Sequence, residues 1–323
     1  MGFSHLVNKN ILVTGGFGLV GSHLVEKLIN YSRNVVVPYR SIHPKSHFAF
    51  KNLFSKVITV VADLKDQKRV SDIVKKYEID YIFHLAAQPI VETAYHNPIE
   101  TFETNILGTA YILEAARLYG KIKGIIVASS DKAYGEVKSG KYKETDPLAG
   151  DHPYDTSKAG ADLIARAYYA TYGLPVVVTR FGNIYGPGDL NFNRIIPGII
   201  RAQITGETLE VRSNGKYVRD YVYVKDVADG YLAIAEKLDE IKGEAFNFSS
   251  DDTYSVLDLI VKVETIVGKK VNFKILNLAV NEIPYQSLSY AKAKRLLGWR
   301  PKYNLEKGMP ETYDWYANFF FAT

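Results

Sequence analysis

The chain has 323 residues, 47% of them hydrophobic, and carries 40 Lys and Arg against 35 Asp and Glu for a net charge of +5; that much apolar material builds one large core or two moderate ones and excludes a disordered chain. There is no cysteine, which removes disulfides, thiol nucleophiles and thiolate metal sites. No apolar stretch reaches membrane-spanning length, MGFSHLVNKN lacks the core of a secretion signal, and the basic cluster KAKR at 292–295 has no aromatic-basic reader beside it, so the expectation is a cytoplasmic protein with no membrane and no nucleic acid partner.

The first predicted strand, NILVT, runs directly into GGFGLVGSHLVEKLI, which spaces Gly15, Gly18 and Gly21 three residues apart at the head of an amphipathic helix. Such a turn needs a residue tolerant of positive φ, a bare backbone for a pyrophosphate to approach, and close packing of helix on strand, while the helix N-terminus favours phosphate charge. Dinucleotide binding is therefore expected here, with Phe17 and Leu19 of the same stretch beside the glycines. At the end of the second strand, VVVPYRS offers no carboxylate for the ribose hydroxyls. Arg40 and Ser41 there suit a 2′-phosphate, which favours NADP, with NAD as the alternative. Asp63, closing VITVVAD, is placed to accept from the adenine amine, with Leu64 next to it, and Ala86 and Ala87, after YIFHLAA, are small enough to let the cofactor lie on the sheet edge. His84, His96 and His152 show no metal-ligand spacing, and no metal is expected.

A fifth run, KGIIVAS, ends in SSDKAYG. It sets an acid and a base, Asp131 and Lys132, side by side where a buried strand opens. Downstream, HPYDTSK places Tyr154 and Lys158 four residues apart in a helix predicted to begin near Asp151, so that they share one face. An ammonium beside a phenol favours the phenolate, lowering a pKa that starts near about 10 and making Tyr154 a usable base. Ser130 completes the hydrogen-bonding set.

From 11 to 182 short β-branched runs alternate with helix-like segments, which with the glycine turn predicts an α/β fold: a doubly wound parallel sheet of Rossmann type with a smaller α/β C-terminal lobe. The Gly-, Asn- and Pro-rich stretch GNIYGPGDLNFNRIIPG, 182–198, marks a long functional loop and a change of architecture. VRDYVYVKDVADGYLAIAEKL predicts one further strand and helix. The boundaries expected are 1–182 plus about 219–240 for the dinucleotide-binding domain, and 183–218 with 243–323 for the second lobe. The terminal aromatics, YDWYANFFFAT, are expected in a core or subunit contact.

The glycine triplet, Ser130, Tyr154 and Lys158 together resemble the extended short-chain dehydrogenase/reductase family that acts on nucleotide sugars. Supporting stretches are HLAAQ with Gln88, TNILGT with Asn105, RFGNIYGPGD with Arg180 and Asn183, VRDYVYVKDVADGY with Arg219 and Asp226, and LLGWRP at 296–301. The resemblance implies cofactor contacts from Gln88 and Asn105, and substrate contacts from Gln88, Asn183, Arg194 and Arg219, whose forked guanidinium groups suit a diphosphate. It also implies a homodimer paired through the helices around 98–120 and 151–173, and a tightly bound cofactor that is recycled.

Within that family the two positions after the catalytic Ser or Thr separate the reactions. Simple 4-epimerases carry small or neutral residues there and 4,6-dehydratases an acid and a base; Asp followed by Lys is most similar to the CDP-glucose 4,6-dehydratase branch, which generally uses NAD. The implied reaction has Tyr154 take the sugar O4 proton as C4 is oxidised, a neutral Lys132 remove the C5 proton, a protonated Asp131 protonate the departing C6 hydroxyl, and hydride return to C6. Two rivals stand beside this reading: a 4-epimerase, which leaves Asp131 and Lys132 without work, and a dinucleotide-binding regulator that catalyses nothing, whose relatives lose the tyrosine or lysine kept here.

Overall fold

The structure, a computed structural model, describes residues 4–136, 140–278 and 282–321; the remaining positions of the two expected domains lie outside the described residues. Six strands match the apolar runs of the sequence: β1 (Asn10–Thr14), β2 (Asn34–Tyr39), β3 (Ile58–Val61), β4 (Tyr81–His84), β5 (Gly124–Ala128) and β6 (Val176–Phe181). After them come β7 (Asn183–Tyr185), β8 (Leu209–Val211), β9 (Val218–Tyr223), β10 (Ala245–Phe248), β11 (Thr253–Ser255), β12 (Phe273–Ile275) and β13 (Tyr285–Gln286).

The large sheet has seven strands in the order β10-β6-β5-β4-β1-β2-β3, and every neighbouring pair is parallel. The chain winds outward in one direction from β1 and then in the other from β4. A crevice therefore opens at the carboxyl ends of β1 and β4, where the two windings diverge. Alternation along the strands supplies both faces. Ile11 and Val13 face a core shared with the Leu19–Leu28 and Val224–Ile241 helices, whereas Leu12 and Val36 face the core shared with the Gln67–Lys76, Gly108–Tyr119 and Pro153–Tyr172 helices.

Two assignments differ from the sequence expectation. Residues 245–248, expected in the second lobe, pair with β6 as the seventh strand, with Ala245 opposite Val178. Their short AFNF run carries no alternation to mark it, but the Val224–Ile241 helix crosses the sheet and delivers it to the open edge of β6. Conversely β9, expected with the dinucleotide-binding part, pairs with β7, β11 and β13 in a separate four-stranded sheet. A run such as VRDYVY suits either sheet, and its partners decide. β8 and β12 form a third, two-stranded pair. A core of Ile196, Ile199, Ile200, Leu259, Trp315 and Tyr316 packs beneath these small sheets and takes in part of the terminal aromatic segment. Among the described residues, no helix is long and apolar enough to cross a membrane.

A buried ion pair ties the sheet to the long helix. Arg180 on β6 and Asp162 on the Pro153–Tyr172 helix are both 0% exposed, and the guanidinium donates to the carboxylate twice, Nε to Oδ2 at 2.7 Å and Nη2 to Oδ1 at 2.9 Å. The remaining donor, Nη1, reaches the Tyr134 hydroxyl at 2.7 Å, which in turn donates to Asn247 on β10. Removing one member of such a pair strands an uncompensated buried charge. Asp162→Ala is expected to destabilise the protein by about 3–5 kcal/mol, read as a lowered urea midpoint; a midpoint within error of the parent protein would show that the pair contributes nothing.

Candidate active site

The crevice is a cleft of about 1350 Å3 running from the glycine turn to the small sheets. At its first end, Gly15 has φ +71, and a Cβ there would lie 2.7 Å from the Ala86 nitrogen; a Cβ on Gly21 would lie 2.1 Å from the Gly15 carbonyl oxygen. Both positions therefore demand glycine, one for its backbone angle and both for close approach. The Gly18 N–H donates to the Gly15 carbonyl at 3.0 Å, and the helix starts at Leu19 with its amino end toward the cleft. Bare turn backbone backed by a helix N-terminus fits the pyrophosphate of a dinucleotide. Phe17, Gly18, Leu19, Arg40, Ser41, Asp63, Leu64, Ala86 and Ala87 all line the same region. Arg40 lies 3.6 Å from the Asp63 carboxylate, a pair half open to solvent.

Gln88 and Asn105, expected to contact cofactor or substrate, do not line the cleft. Both are buried scaffold. The Gln88 N–H donates to Asn105 Oδ1 at 2.7 Å, its side-chain amide is taken up by Ile90 and Thr101, and Asn105 Nδ2 donates to the Gln88 carbonyl and to Ser157 Oγ. Asn105 reaches this position from a π-helical turn, Glu103–Leu107, inside the predicted 98–120 helix. His84 continues the chain of bonds, with Thr14 Oγ1 at 2.8 Å from its Nδ1 and Thr109 Oγ1 at 3.0 Å from its Nε2, and burial brings its pKa down to about 3. This network ties the loop after β4 to the first turn of the Pro153–Tyr172 helix.

In the middle of the cleft, Ser130, Asp131, Lys132, Tyr154 and Lys158 come together. Ser130 lies two residues beyond β5 and caps the short 3-10 turn Asp131–Tyr134, its Oγ accepting from the Lys132 N–H at 3.3 Å and donating to Asp131 Oδ1 at 2.9 Å. Tyr154 lies on the first turn of the helix that Pro153 opens, two residues later than the sequence predicts. Burial pushes the Tyr154 phenol up to about 12; the Arg194 guanidinium and a hydrogen bond with Ser130 pull the other way, and Asp131 and Asp155 add to the rise. The expected lowering of this group is thus reversed in the protein alone, because the phenol is removed from water. Lys158 donates to the Ala128 carbonyl at 3.0 Å. Burial brings its pKa from 10.5 to about 8.

At the far end lie Asn183, Arg194 and Arg219. Asn183 keeps a buried Nδ2 without a partner. Arg194 donates to Asp189 at 3.0 Å, and Arg219 donates to the Val218 carbonyl at 2.8 Å. Asp155 and Gln286 are among the cleft residues that escaped the sequence reading. Asp155, inside the HPYDTSK stretch itself, is buried and its carboxyl is pushed by burial to about 6, with Lys132 drawing it down; an acid next to the tyrosine was its only signal. Gln286 lies on β13 and no sequence pattern marks it. The fold also assembles His23, Glu26 and His47, away from the cleft. Their imidazoles stack at 3.9 Å and 17°, with His23 Nε2 2.9 Å from the Pro187 carbonyl and His47 Nε2 3.2 Å from the Glu26 carboxylate.

A family profile described as GDP-mannose 4,6 dehydratase matches residues 12–312. A trifunctional UDP-glucose 4,6-dehydratase/3,5-epimerase/reductase of Arabidopsis thaliana is 33% identical over 96% of this chain, which spans only 47% of that protein, about half its length. The CDP-glucose 4,6-dehydratase of Salmonella typhimurium is 29% identical over 95% of this chain and 90% of its own. Among solved structures, the dTDP-glucose 4,6-dehydratase DesIV of Streptomyces venezuelae, with NAD and TYD bound, superposes with a TM-score of 0.88 at 28% identity, covering 95% of this chain and 96% of that one. The UDP-glucose 4-epimerase of Thermotoga maritima does so at 0.87 and 32%, covering 96% and 99%.

Because burial favours neutral Lys158, the unfolded chain holds one more proton than the folded one between pH about 8 and 10.5. The Lys158 contribution to the stability of the cofactor-free protein is therefore expected to rise with pH across that window, and the difference between the parent protein and Lys158→Met to grow with it. Urea midpoints of the two proteins check this; parallel pH profiles would exclude a buried, titrating Lys158.

Proposed function

The chain belongs to the GDP-mannose 4,6 dehydratase family, and from that premise we propose that it is a nucleoside-diphosphate-sugar 4,6-dehydratase acting on a CDP-glucose-like substrate to give a 4-keto-6-deoxy sugar. The observation that carries the reading is the meeting of Asp131 and Lys132, an adjacent acid and base, with Ser130, Tyr154 and Lys158 in one cleft. A 4-epimerase shares the last three and has no use for the first two. The nucleotide is argued from the Asp-Lys order of the SSDKAYG stretch and from the Salmonella relative.

The glycine cradle fits a dinucleotide, and NAD is taken over NADP because DesIV is described with NAD bound. Bound NAD supplies the hydride acceptor and donor that C4 oxidation and C6 reduction require. Tyr154 accepts the O4 proton, a role for which Arg194 and Ser130 favour the phenolate against the cost of burial. The C4 ketone acidifies the C5 hydrogen. Lys132 then takes the C5 proton as electrons move to break the C6–O bond, and Asp131 donates a proton to the departing hydroxyl, which leaves as water. C5 is reprotonated when hydride arrives at C6, so the reaction carries no net redox change. Asn183, Arg194 and Arg219, at the far end of the cleft, hold the diphosphate; the orphaned Asn183 amide is a donor awaiting an acceptor.

In this reading the seven-stranded sheet carries the cofactor and the smaller sheets carry the nucleotide. The exposed Leu107, Leu118, Leu163, Tyr169 and Tyr172 of the two long helices form the contact of a homodimer.

Incubation with CDP-, dTDP-, UDP- and GDP-glucose in deuterated water is expected to give loss of water with deuterium gained at C5, and fastest with CDP-glucose. Inversion at C4 with unchanged composition would make the protein an epimerase, and no reaction with any of them would leave it a nucleotide-holding scaffold. Lys132→Ala is expected to permit C4 oxidation and block water loss; unimpaired dehydration in that variant would remove Lys132 from the chemistry.

A further inference from the structure

The proton acceptor just described is held by a residue from the opposite side of the cleft. β13 belongs to the small sheet, where Gln286 lies opposite Arg219 of β9. Gln286 is 2% exposed, yet its side chain borders the cleft, and its Oε1 accepts a hydrogen bond from Lys132 Nζ at 2.9 Å. Its Nε2 is buried with no partner. An unpaired buried amide donor costs about 1–3 kcal/mol, and an apolar side chain of similar shape avoids that cost. Packing alone therefore does not select glutamine here.

The chemistry of the amide oxygen explains the choice. A carbonyl oxygen accepts and never donates, so it takes a Lys132 N–H in either charge state and leaves the amine lone pair free. Being neutral, it orients the lysine while favouring the ammonium less than a carboxylate at 2.9 Å does. Two carboxylates lie beside Lys132, Asp131 as its neighbour in the same turn and Asp155 from the Pro153–Tyr172 helix, which is also within electrostatic reach of His152. Arg219 flanks Gln286 on β9.

Resting on the reading that Lys132 takes the C5 proton, we infer that Gln286 is the positioning residue for that base, aiming the Lys132 amine at C5 across the cleft. Because Lys132 follows β5 of the large sheet and Gln286 lies in the small one, the base is set only when both sides of the cleft are in register. No group in the large sheet duplicates this contact among the hydrogen bonds of the described residues.

The test uses the NAD-loaded protein with CDP-glucose, or with whichever glucose nucleotide of the panel turns over, and measures separately the accumulation of reduced cofactor, C5 deuterium exchange and water loss. Gln286→Leu is expected to keep C4 oxidation and to slow exchange and water loss by about 100-fold, the scale of a misplaced catalytic group. Gln286→Glu, which keeps the shape, is expected to shift the pH profile of water loss to the alkaline side, since its carboxylate favours the ammonium. Wild-type water loss in Gln286→Leu, equal losses in both steps, or an unmoved profile in Gln286→Glu would overturn the inference. Lys132→Ala separates the two claims. If it still dehydrates, the role of Lys132 falls and that of Gln286 with it; if it does not while Gln286→Leu does, only Gln286 is wrong.

Discussion

The geometry of the cleft depends on one buried ion pair. Arg180 and Asp162 are out of water entirely, and each satisfies the other through two parallel bonds. A pair this deep is weak evidence for stability, since desolvation opposes most of its attraction. Its value here is positional: it holds the helix that bears Tyr154 and Lys158 against β6, and the third guanidinium donor reaches Tyr134 at the end of the turn that bears Asp131 and Lys132. Two separate stretches of chain are thus set against each other by one side chain.

Around that anchor, burial and charge work in opposition. Removal from water raises Tyr154 and lowers Lys158, so the same desolvation opposes the charged form of each. Arg194 and Ser130 counter it at the phenol. On the other side of the tyrosine, two buried carboxyl groups, Asp131 and Asp155, lie within electrostatic reach of each other and of Lys132. A cleft that keeps acids, an amine and a phenol this close is costly to fold and poorly suited to a passive scaffold.

The scaffold residues show how far a resemblance carries. Gln88 and Asn105 stand in two of the stretches on which the family resemblance rests, yet their amides are consumed by each other and by Ile90, Thr101 and Ser157. They shape the cleft from behind. Their polarity was legible in the sequence, but the direction each side chain takes was not, because a π-helical turn rotates Asn105 out of the simple helical register.

Six of the seven large-sheet strands, the glycine turn and the Tyr154–Lys158 face are local matters, determined by the sequence itself through apolar periodicity, a positive-φ requirement and four-residue helical spacing. Tertiary structure alone decided the rest. Whether VRDYVY or AFNF joins the large sheet depends on which edge is left open, and that depends on the path of an 18-residue helix. The reversed pKa of Tyr154 depends on what excludes water from it. The contact between Lys132 and Gln286 spans 154 positions, and no local pattern specifies a partner at that distance, since the pairing free energy exists only once both sheets are in place.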